Sequence, residues 1–182
     1  MRAIVLLSNG IDSPVAAHLM KQKGLELIFL NLSMGKTNVD ELKQTVSPSS
    51  PLIKVDFLPV IRNISKKANS KYTCLLCKRA MLRQAERIAK ENGAGAIITG
   101  ENLGQVASQT LDNMAVIESA VDLPVLRPLL CFDKNEIIEI ARKIGTYEMS
   151  IKKNGKCSFV PKNPATKAKL KIIECEETQL SK

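Results

Sequence analysis

The sequence predicts an α/β protein built on a doubly wound parallel sheet with helices on both faces. Apolar segments typical of strands alternate along most of the chain with segments of helical periodicity. This alternation favours parallel strands joined by crossover helices. The apolar runs lack the period-two polarity of half-exposed strands, which indicates that both faces of the sheet are covered. Ligands of such sheets bind at the carboxyl ends of the strands, so the loops there are the candidates for function.

The individual elements follow from the same patterns. Strands are predicted over residues 3–7, 26–31, 52–57, 94–99 and 124–128. Helices are predicted over residues 13–23, 38–47, 60–68, 78–92, 103–119 and 134–144, the first of them capped by Asp12 or Ser13. Residues 1–149 are predicted to form one domain. Residues 150–182, where the pattern weakens, are predicted to form a basic arm that packs on it.

Length and composition indicate a soluble globular protein. The 182 residues are 45% hydrophobic and 25% charged, which is ordinary for one domain with a full core. The first residues lack the order of a signal peptide, and no apolar run approaches the length of a membrane span. We therefore expect a cytoplasmic protein with no membrane partner.

The net charge of +9 is unevenly distributed. Residues 62–90 hold nine Lys or Arg and a single acid, and residues 151–173 hold seven Lys and no acid. Such blocks favour a polyanionic partner, although a solvated lysine-rich surface is the alternative. Aromatic residues make up only 3% of the chain, which disfavours base-stacking platforms. Contact with the backbone of a structured RNA is the better interpretation.

The loop Ser8-Asn9-Gly10-Ile11-Asp12-Ser13 lies between the first strand and the first helix. Its small residues allow backbone N–H groups to approach an anion, and the following helix directs its N-terminus to the same place. Asp12 is suited either to capping that helix or to holding Mg²⁺ beside phosphates. A tight turn with an ordinary cap is the alternative to a phosphate site.

Five cysteines are present, two of them in the CxxC pair Cys74 and Cys77. With Cys157 they form a set of three thiols that suits an iron–sulfur cluster or sulfur transfer. Buried structural thiols and thioredoxin-like redox chemistry are the alternatives, and zinc is disfavoured because His18 is the only histidine. Cys131 is predicted to lie in the core, and no function is predicted for Cys175.

Several segments resemble known families. SNGIDS resembles the SGGxDS pyrophosphate loop of the PP-loop ATP pyrophosphatases, with Asn9 in place of a glycine. CLLCKRAMLRQAERIA, ITGENLGQVASQTLDNMAVI, DLPVLRPLLCFDKNEIIEIARKIGTYE and KCSFVPKNPATKAKLKIIE closely resemble the ThiI family, the tRNA 4-thiouridine synthetases or tRNA sulfurtransferases. The resemblance covers about residues 1–178. It implies a Rossmann-like adenine nucleotide α-hydrolase (PP-loop) fold over residues 1–149.

The resemblance also implies a site for ATP and Mg²⁺. The positions that carry over are Leu6, Leu7, Ser8, Asn9, Gly10, Asp12, Ser13, Asn31, Leu32, Arg79, Gly100 and Gln109. Gly100 ends a predicted strand, where backbone can approach a ligand, and Arg79 is expected to neutralise phosphate. Gln109 offers both a donor and an acceptor to nucleotide or substrate.

The activity implied is the adenylation of O4 of a tRNA uridine, with release of pyrophosphate, followed by replacement of that oxygen by sulfur. The catalytic residues carried over are Asp12, Cys74, Cys77 and Cys157. The three cysteines are expected either to ligate an iron–sulfur cluster or to leave Cys157 to receive a persulfide from a sulfur donor.

Two other functions stay open. One is an adenylating sulfur-transfer enzyme of thiamine or other small-molecule sulfur metabolism, and the other is an inactive nucleotide-binding partner of a THUMP protein. The chain starts at the strand before the loop, so we expect neither a THUMP nor a rhodanese domain. Three alternatives follow: a separate THUMP-containing protein supplies tRNA binding, the basic blocks suffice for it, or the substrate is different. A homodimer is also compatible with the sequence.

Overall fold

The computed structural model describes residues 1–152 and 157–180. Five parallel strands form one sheet in the order β3-β2-β1-β4-β5. They are β1 (Arg2–Leu6), β2 (Glu26–Ser33), β3 (Leu52–Asp56), β4 (Ile97–Ile98) and β5 (Val125–Leu126). The predicted doubly wound fold is therefore confirmed, with β1 at its centre. Among the described residues, no helix is both long enough and apolar enough to span a bilayer.

Eight α-helices connect and cover the strands in the described part of the chain. They are α1 (Asp12–Gln22), α2 (Val39–Val46), α3 (Leu58–Lys67), α4 (Thr73–Glu91), α5 (Leu111–Glu118), α6 (Lys134–Lys143), α7 (Tyr147–Ile151) and α8 (Leu170–Leu180). Asp133 begins α6 through a capping box with Glu136. Gly24 and Gly145 follow the ends of α1 and α6 with positive φ angles, which other residues rarely adopt.

Both faces of the sheet are buried. Ile4 and Leu30 point into a core shared with α3, α4, α5 and α8, whereas Ala3, Val5 and Phe29 point into a core shared with α1, α2 and α6. Successive strand residues point to opposite faces, so a strand with two buried faces is apolar at every position. This is the physical reason for the continuous apolar runs in the sequence.

Two predicted helices differ from those observed. The helix predicted over residues 78–92 begins earlier, at Thr73, after a single 3-10 turn (Ser70–Tyr72). Both residues of the CxxC pair are therefore helical. The helix predicted over residues 103–119 is instead a loop, a 3-10 turn (Ala107–Gln109) and α5. Thr110 is extended, and its side chain accepts a hydrogen bond from the Asn113 N–H, so the helix starts only at Leu111.

The C-terminal segment is more ordered than its weak sequence pattern suggested. It contains α8, whose Ile173 is fully buried in the core beneath α3 and α4. Glu177 of α8 accepts hydrogen bonds from Arg79 at 2.8 and 3.0 Å and from Arg83 at 2.6 and 2.7 Å. The described part of this segment thus packs on the same domain, and α7 spans the predicted boundary between residues 149 and 150.

The ion pair of Glu177 predicts a pH-dependent stability. Burial alone would raise the pKa of Glu177, but hydrogen bonds and charge from Arg83 and Arg79 outweigh it and lower the pKa to about 2. A glutamate in the unfolded chain has a pKa of about 4.3, so the stabilisation is complete above that pH and is lost as pH falls through about 2. We expect Glu177→Gln to lower the free energy of unfolding at neutral pH by about 1.5–3 kcal/mol.

Urea unfolding between neutral pH and pH 2 measures this effect. Glu177→Gln is expected to show a weaker loss of stability below pH 4 than the parent protein. Glu174→Gln, an exposed position on the same helix, is the matched control and is expected to follow the parent. Parallel curves for the parent and Glu177→Gln would contradict the assignment.

Candidate functional site at the carboxyl edge of the sheet

The strands β1, β2 and β4 are parallel neighbours, so the loops that follow their carboxyl ends lie along one edge of the sheet, which we call the rim. The Leu7 N–H donates to Leu30 O at 2.9 Å, so the pairing of β1 with β2 continues one residue beyond β1. Asn31 Nδ2 then donates to Leu7 O at 2.8 Å. Leu7 and Leu32 are buried and Leu6 is half-buried, so these three residues form the apolar wall beneath the rim.

The Ser8–Ser13 loop is held by its own hydroxyl groups. Ser13 Oγ accepts from the Ser8 N–H at 2.9 Å and lies 3.1 Å from Ser8 Oγ, which in turn accepts from the Gly10 N–H at 3.2 Å. The loop therefore curls over the N-terminus of α1, where no side chain caps the free N–H groups. A helix N-terminus that no side chain caps, next to a loop of small residues, is suited to binding phosphate.

The predicted cap by Asp12 or Ser13 is wrong. Helix α1 begins at Asp12 itself with Ile11 in the capping position, and Ser13 Oγ is used inside the loop. Asp12 Oδ1 instead accepts from Lys134 Nζ at 2.6 Å, at the start of α6. Asp12 thus joins the loop to α6 and presents a carboxylate beside the candidate phosphate site.

Asn9 fits its position without backbone strain. No non-glycine residue in the described ranges has a positive φ angle, so the turn at Asn9 does not need a glycine. Its side chain makes two contacts that a glycine lacks: Oδ1 accepts from the Asn38 N–H at 3.1 Å, and Nδ2 donates to Lys36 O at 3.4 Å. Asn9 therefore ties the loop to the segment that follows β2.

Gly100 is required by close packing. A Cβ atom at this position would lie 2.7 Å from both Asp12 C and Ser13 N. These are backbone atoms at the start of α1, so no flexible side chain could move aside. The segment after β4 consequently packs directly against the end of the Ser8–Ser13 loop. The strand-end position of Gly100 predicted a close approach to a ligand, and the close approach observed is to the backbone of α1.

Two buried side-chain oxygens at the rim have no donor within the described protein. They are Asn31 Oδ1, on a residue that is 4% exposed, and Gln109 Oε1, on a residue that is 8% exposed. Leaving a buried acceptor unpaired costs about 1–3 kcal/mol. Such acceptors are suited to the amino or hydroxyl groups of a ligand, and both belong to residues predicted for the nucleotide site.

The expectation that Arg79 faces phosphate is corrected by the structure. Arg79 is 2% exposed, and its guanidinium is used by Glu177, Ser119 Oγ at 2.9 Å and Val116 O. Neighbouring helical residues point about 100° apart, and it is Lys78 that faces the rim. The sequence favoured Arg79 because a guanidinium group can form two parallel hydrogen bonds with a phosphate. It did not show towards which side of α4 the Arg79 side chain points.

Lys78 belongs to a charged network at the ends of β4 and β5. Its Nζ lies 2.7 Å from Glu101 Oε1, and Arg127 Nε lies 2.9 Å from Glu101 Oε2. Burial would raise the pKa of Glu101, but the two cations outweigh it and lower that pKa, so the carboxylate stays charged. Arg127 Nη2 is buried with no acceptor among the described residues. Arg127 Nη1 also lies 2.5 Å from Glu118 Oε2, so the network holds two cations and two carboxylates and its charges balance.

The three cysteines of the predicted sulfur site lie near one another. Burial raises the pKa of Cys74 and raises that of Cys77 to about 12, and charge on Cys157 adds to both shifts while Lys78 opposes them. The Cys77 thiol is therefore protonated at neutral pH, whereas Cys157 is exposed. No group of three His, Cys, Asp or Glu residues in the described ranges is arranged to hold a metal ion. In this conformation the thiols are neighbours but not a ligand set.

The other two cysteines carry no site. Cys131 is exposed, which contradicts the prediction that it is a core residue. Leu129 takes the buried position of that segment, and the following residues form a surface turn. Cys175 is exposed on α8.

Asn113 was not identified from the sequence, yet it joins the rim to the segment that carries Cys157. It is 0% exposed; Nδ2 donates to Ala107 O at 2.7 Å and Ala165 O at 2.9 Å, and Oδ1 accepts from the Ala168 N–H at 2.9 Å. Thr110 Oγ1 adds a bond to Thr166 O at 2.7 Å. One side chain thus fixes the turn before α5 and the C-terminal segment together. The sequence signal that could have identified Asn113 is its position as a polar residue within the otherwise largely apolar α5.

Comparison with known proteins places these features in a family. A sequence-family model described as "Thiamine biosynthesis protein (ThiI)" matches residues 1–181. A Methanocaldococcus jannaschii protein named "Probable tRNA sulfurtransferase" is 43% identical over 178 residues, which cover 92% of this chain and 47% of that protein. This chain spans about half the length of the curated relatives it matches.

Two solved structures also resemble this chain. The crystal structure of a 4-thiouridine synthetase–RNA complex with bound ATP has a TM-score of 0.93 and 40% identity, covering 99% of this chain and 50% of that one. The U34-tRNA thiolase NcsA of Methanococcus maripaludis, solved with its [4Fe-4S] cluster, has a TM-score of 0.61 and 19% identity, covering 100% of this chain and 73% of that one. The second likeness supports the fold alone.

Substitution of Asn113 tests whether its hydrogen bonds hold the segment before α8 against the turn before α5. We expect Asn113→Ala to lower the free energy of unfolding by at least about 2 kcal/mol, because it orphans buried backbone groups. Hydrogen exchange at the Ala168 amide should become faster than in the parent protein. Asn63→Ala removes one bond between an exposed side chain and Leu180 O and should leave exchange at Ala168 unchanged. Unchanged exchange at Ala168 in Asn113→Ala would show that the segment is held by other contacts.

Proposed function

Because the chain belongs to the ThiI family, we propose that it acts as an ATP-dependent tRNA sulfurtransferase that converts a uridine to 4-thiouridine. The observation that carries the proposal is the 40% identity and 0.93 TM-score, over 99% of this chain, to a 4-thiouridine synthetase solved with ATP and RNA. The rim described above supplies the groups that such a reaction needs.

The nucleotide is assigned to the rim formed by the Ser8–Ser13 loop, Asn31, Gly100 and Gln109. The free N–H groups at the start of α1 are suited to the phosphates. The unpaired oxygens of Asn31 and Gln109 are suited to accept hydrogen bonds from the rest of the nucleotide. Lys78 replaces Arg79 as the cation for the phosphates, since it needs only to leave Glu101.

Asp12 fits a role beside magnesium. Mg²⁺ in nucleotide sites takes one or two carboxylates together with phosphate oxygens, and Asp12 is the acidic residue of the loop. Its present partner is Lys134 at 2.6 Å, an ion pair that is partly exposed and therefore easily exchanged. When bound, Mg²⁺ would neutralise charge on the phosphates.

The chemistry proceeds in two displacements. The uridine O4 attacks the α-phosphorus of ATP, and pyrophosphate leaves with the electron pair of the broken P–O bond. Hydrosulfide then attacks C4, AMP leaves with O4, and the sulfur loses its proton. Positive charge from Lys78 and from the start of α1 stabilises the negative charge that develops on the phosphates.

Cys157 is assigned to sulfur delivery. It is exposed, whereas burial raises the pKa of both Cys74 and Cys77 and weakens them as nucleophiles. The outer sulfur of a persulfide on Cys157 would attack C4 as AMP leaves with O4, which gives a C4–S–S–Cys157 adduct. The thiolate of Cys74, which lies near Cys157, would then attack the Cys157 sulfur. The S–S bond breaks with its electron pair on the sulfur of 4-thiouridine, and a Cys74–Cys157 disulfide is left. The thiol chemistry of the three cysteines suits an iron–sulfur cluster, but their arrangement does not assemble one, so no step is assigned to a cluster.

Activity is tested with the chain, ATP, Mg²⁺, a protein persulfide and an unmodified tRNA transcript. Pyrophosphate release and 4-thiouridine, detected by mass spectrometry of digested tRNA, are the expected products. Cys157→Ser should lower thiolation by at least about a hundredfold, which is about 2.7 kcal/mol, and should leave pyrophosphate release intact. Cys175→Ser is the control and should behave as the parent.

The other outcomes separate the alternatives. Pyrophosphate release that depends on a small sulfur-accepting molecule and not on tRNA would replace the tRNA role by one in small-molecule sulfur metabolism. No pyrophosphate release under any condition would make the chain an inactive nucleotide-binding module.

Gly100 provides a test of the nucleotide site that does not depend on the substrate. A Cβ at Gly100 would meet the backbone of Asp12 and Ser13 at 2.7 Å, whereas a Cβ at Gly95 would meet nothing within 4 Å. We expect Gly100→Ala to weaken ATP binding by at least about tenfold, about 1.4 kcal/mol, in a calorimetric titration. Gly95→Ala, two residues before β4, should bind ATP like the parent. Equal affinities for all three proteins would remove the nucleotide from this rim.

A further inference from the structure

A cluster of lysines flanks the segments that carry the three cysteines. These lysines come from the end of α3, from the 3-10 turn that leads into α4, and from the residues around the start of α8. We name them the lysine patch, which consists of Lys66, Lys67, Lys71, Lys167, Lys169 and Lys171. All six are exposed.

Two hydrogen bonds bring the parts of the patch together. The Ala165 N–H donates to Lys71 O at 3.0 Å, and Glu176 Oε2 accepts from the Asn69 N–H at 2.8 Å. The chain from 165 to 176 is therefore anchored at both ends to residues that are only two positions apart. Lys167, Lys169 and Lys171 lie between those anchors, next to the turn that carries Lys71.

The patch carries positive charge that the domain does not neutralise. None of its six side chains forms an ion pair within the described ranges, whereas Arg79, Arg83, Arg87 and Lys90 on neighbouring α4 are all paired. Glu176 contacts this region, and its carboxylate accepts a hydrogen bond from the Asn69 N–H. Lys71 also lies 4.8 Å from the ring of Tyr72, which holds its stem against the surface.

We infer that the lysine patch is the surface on which the phosphate backbone of a folded RNA docks. Six unpaired lysines on one surface match a polyanion, and counterion release from phosphates supplies most of the binding free energy of such contacts. Few aromatic residues are available to stack on bases, which favours backbone contacts over base reading. This inference deepens the proposed function and rests on it for the identity of the RNA as tRNA.

The lysine patch lies next to the segments that carry the cysteines, so RNA bound there would be close to them. Lys71 precedes Cys74 by three residues, which is about 5 Å along a helix axis. The segment that leaves Cys157 continues directly into the part of the patch that begins at Lys167. RNA held there would lie beside the proposed sulfur-delivery cysteine, while the rim holds the nucleotide.

Salt-dependent binding of an unmodified tRNA transcript, without ATP, tests the inference. The test variant is Lys71→Gln with Lys169→Gln, and the matched control is Lys23→Gln with Lys143→Gln, which removes two exposed lysines from the α1–α6 side. We expect the test variant to bind about tenfold more weakly at about 0.1 M salt. The slope of log affinity against log salt should be smaller by about 1.5 to 2, because two phosphate contacts are lost.

The outcomes decide separately on the patch and on the activity. Equal loss in both double variants, or no change in slope for the test variant, would overturn the inference. So would lysine-dependent binding to anionic lipid vesicles with no binding to tRNA. If melting shows that the test variant is destabilised, Lys66→Gln with Lys167→Gln replaces it. Patch-dependent tRNA binding by a parent protein that makes no 4-thiouridine would refute the proposed activity and leave the patch intact.

Discussion

The buried guanidinium of Arg79 is the constraint on which much of this structure depends. A charge removed from water is tolerated only when it is paired and hydrogen-bonded, and the carboxylate that pairs with it comes from α8, near the end of the chain. Helix α4 therefore cannot bury this face without α8. Once Glu177 is in place, the segment before α8 must cross the edge of α4, where Asn113 and Lys71 hold it. The location of Cys157 and of the lysine patch follows from that crossing.

At the rim, a second network also holds a buried charge by pairing it with charges from other elements. Glu101 is buried, yet it stays ionised because Lys78 and Arg127 approach it from α4 and from the end of β5. Glu118 is a second carboxylate on Arg127, so the two cations of this network are balanced by two acids. Next to the network, Gly100 packs directly on the start of α1. The uncapped N–H groups of α1 and the ammonium of Lys78 thus lie along one rim, and Gly100 allows the two elements to pack closely. The N–H groups and the ammonium both favour an anionic ligand.

The sequence was sufficient for the sheet and for most of the rim. Continuous apolar runs arise from two buried faces, and small residues at strand ends are visible without coordinates, so the fold and the position of the Ser8–Ser13 loop could be predicted. The packing of Gly100 against α1 and the hydrogen bond of Ser13 within the loop could not. The side of a helix towards which each side chain points could not be predicted. Arg79 and Lys78 are adjacent in sequence, and only the position of α8 decides which one is buried. Cys131 follows an apolar run in the sequence, but it is Leu129 of that run that is buried in the core. Asn113 was missed because its three partners lie in segments distant in sequence.

Helix α4 separates the tasks of the domain within six residues. Cys74 and Cys77 lie one turn apart near Cys157, Lys78 points to the rim, and Arg79 points to α8. A rotation of this helix by one residue, about 100°, would exchange the buried and the rim-facing cation and break both networks. The 19-residue length of α4 and its buried apolar face resist such a rotation. The spacing between the CxxC pair and the Lys-Arg pair is therefore a geometric requirement, because it fixes how far the two cysteines lie from the rim.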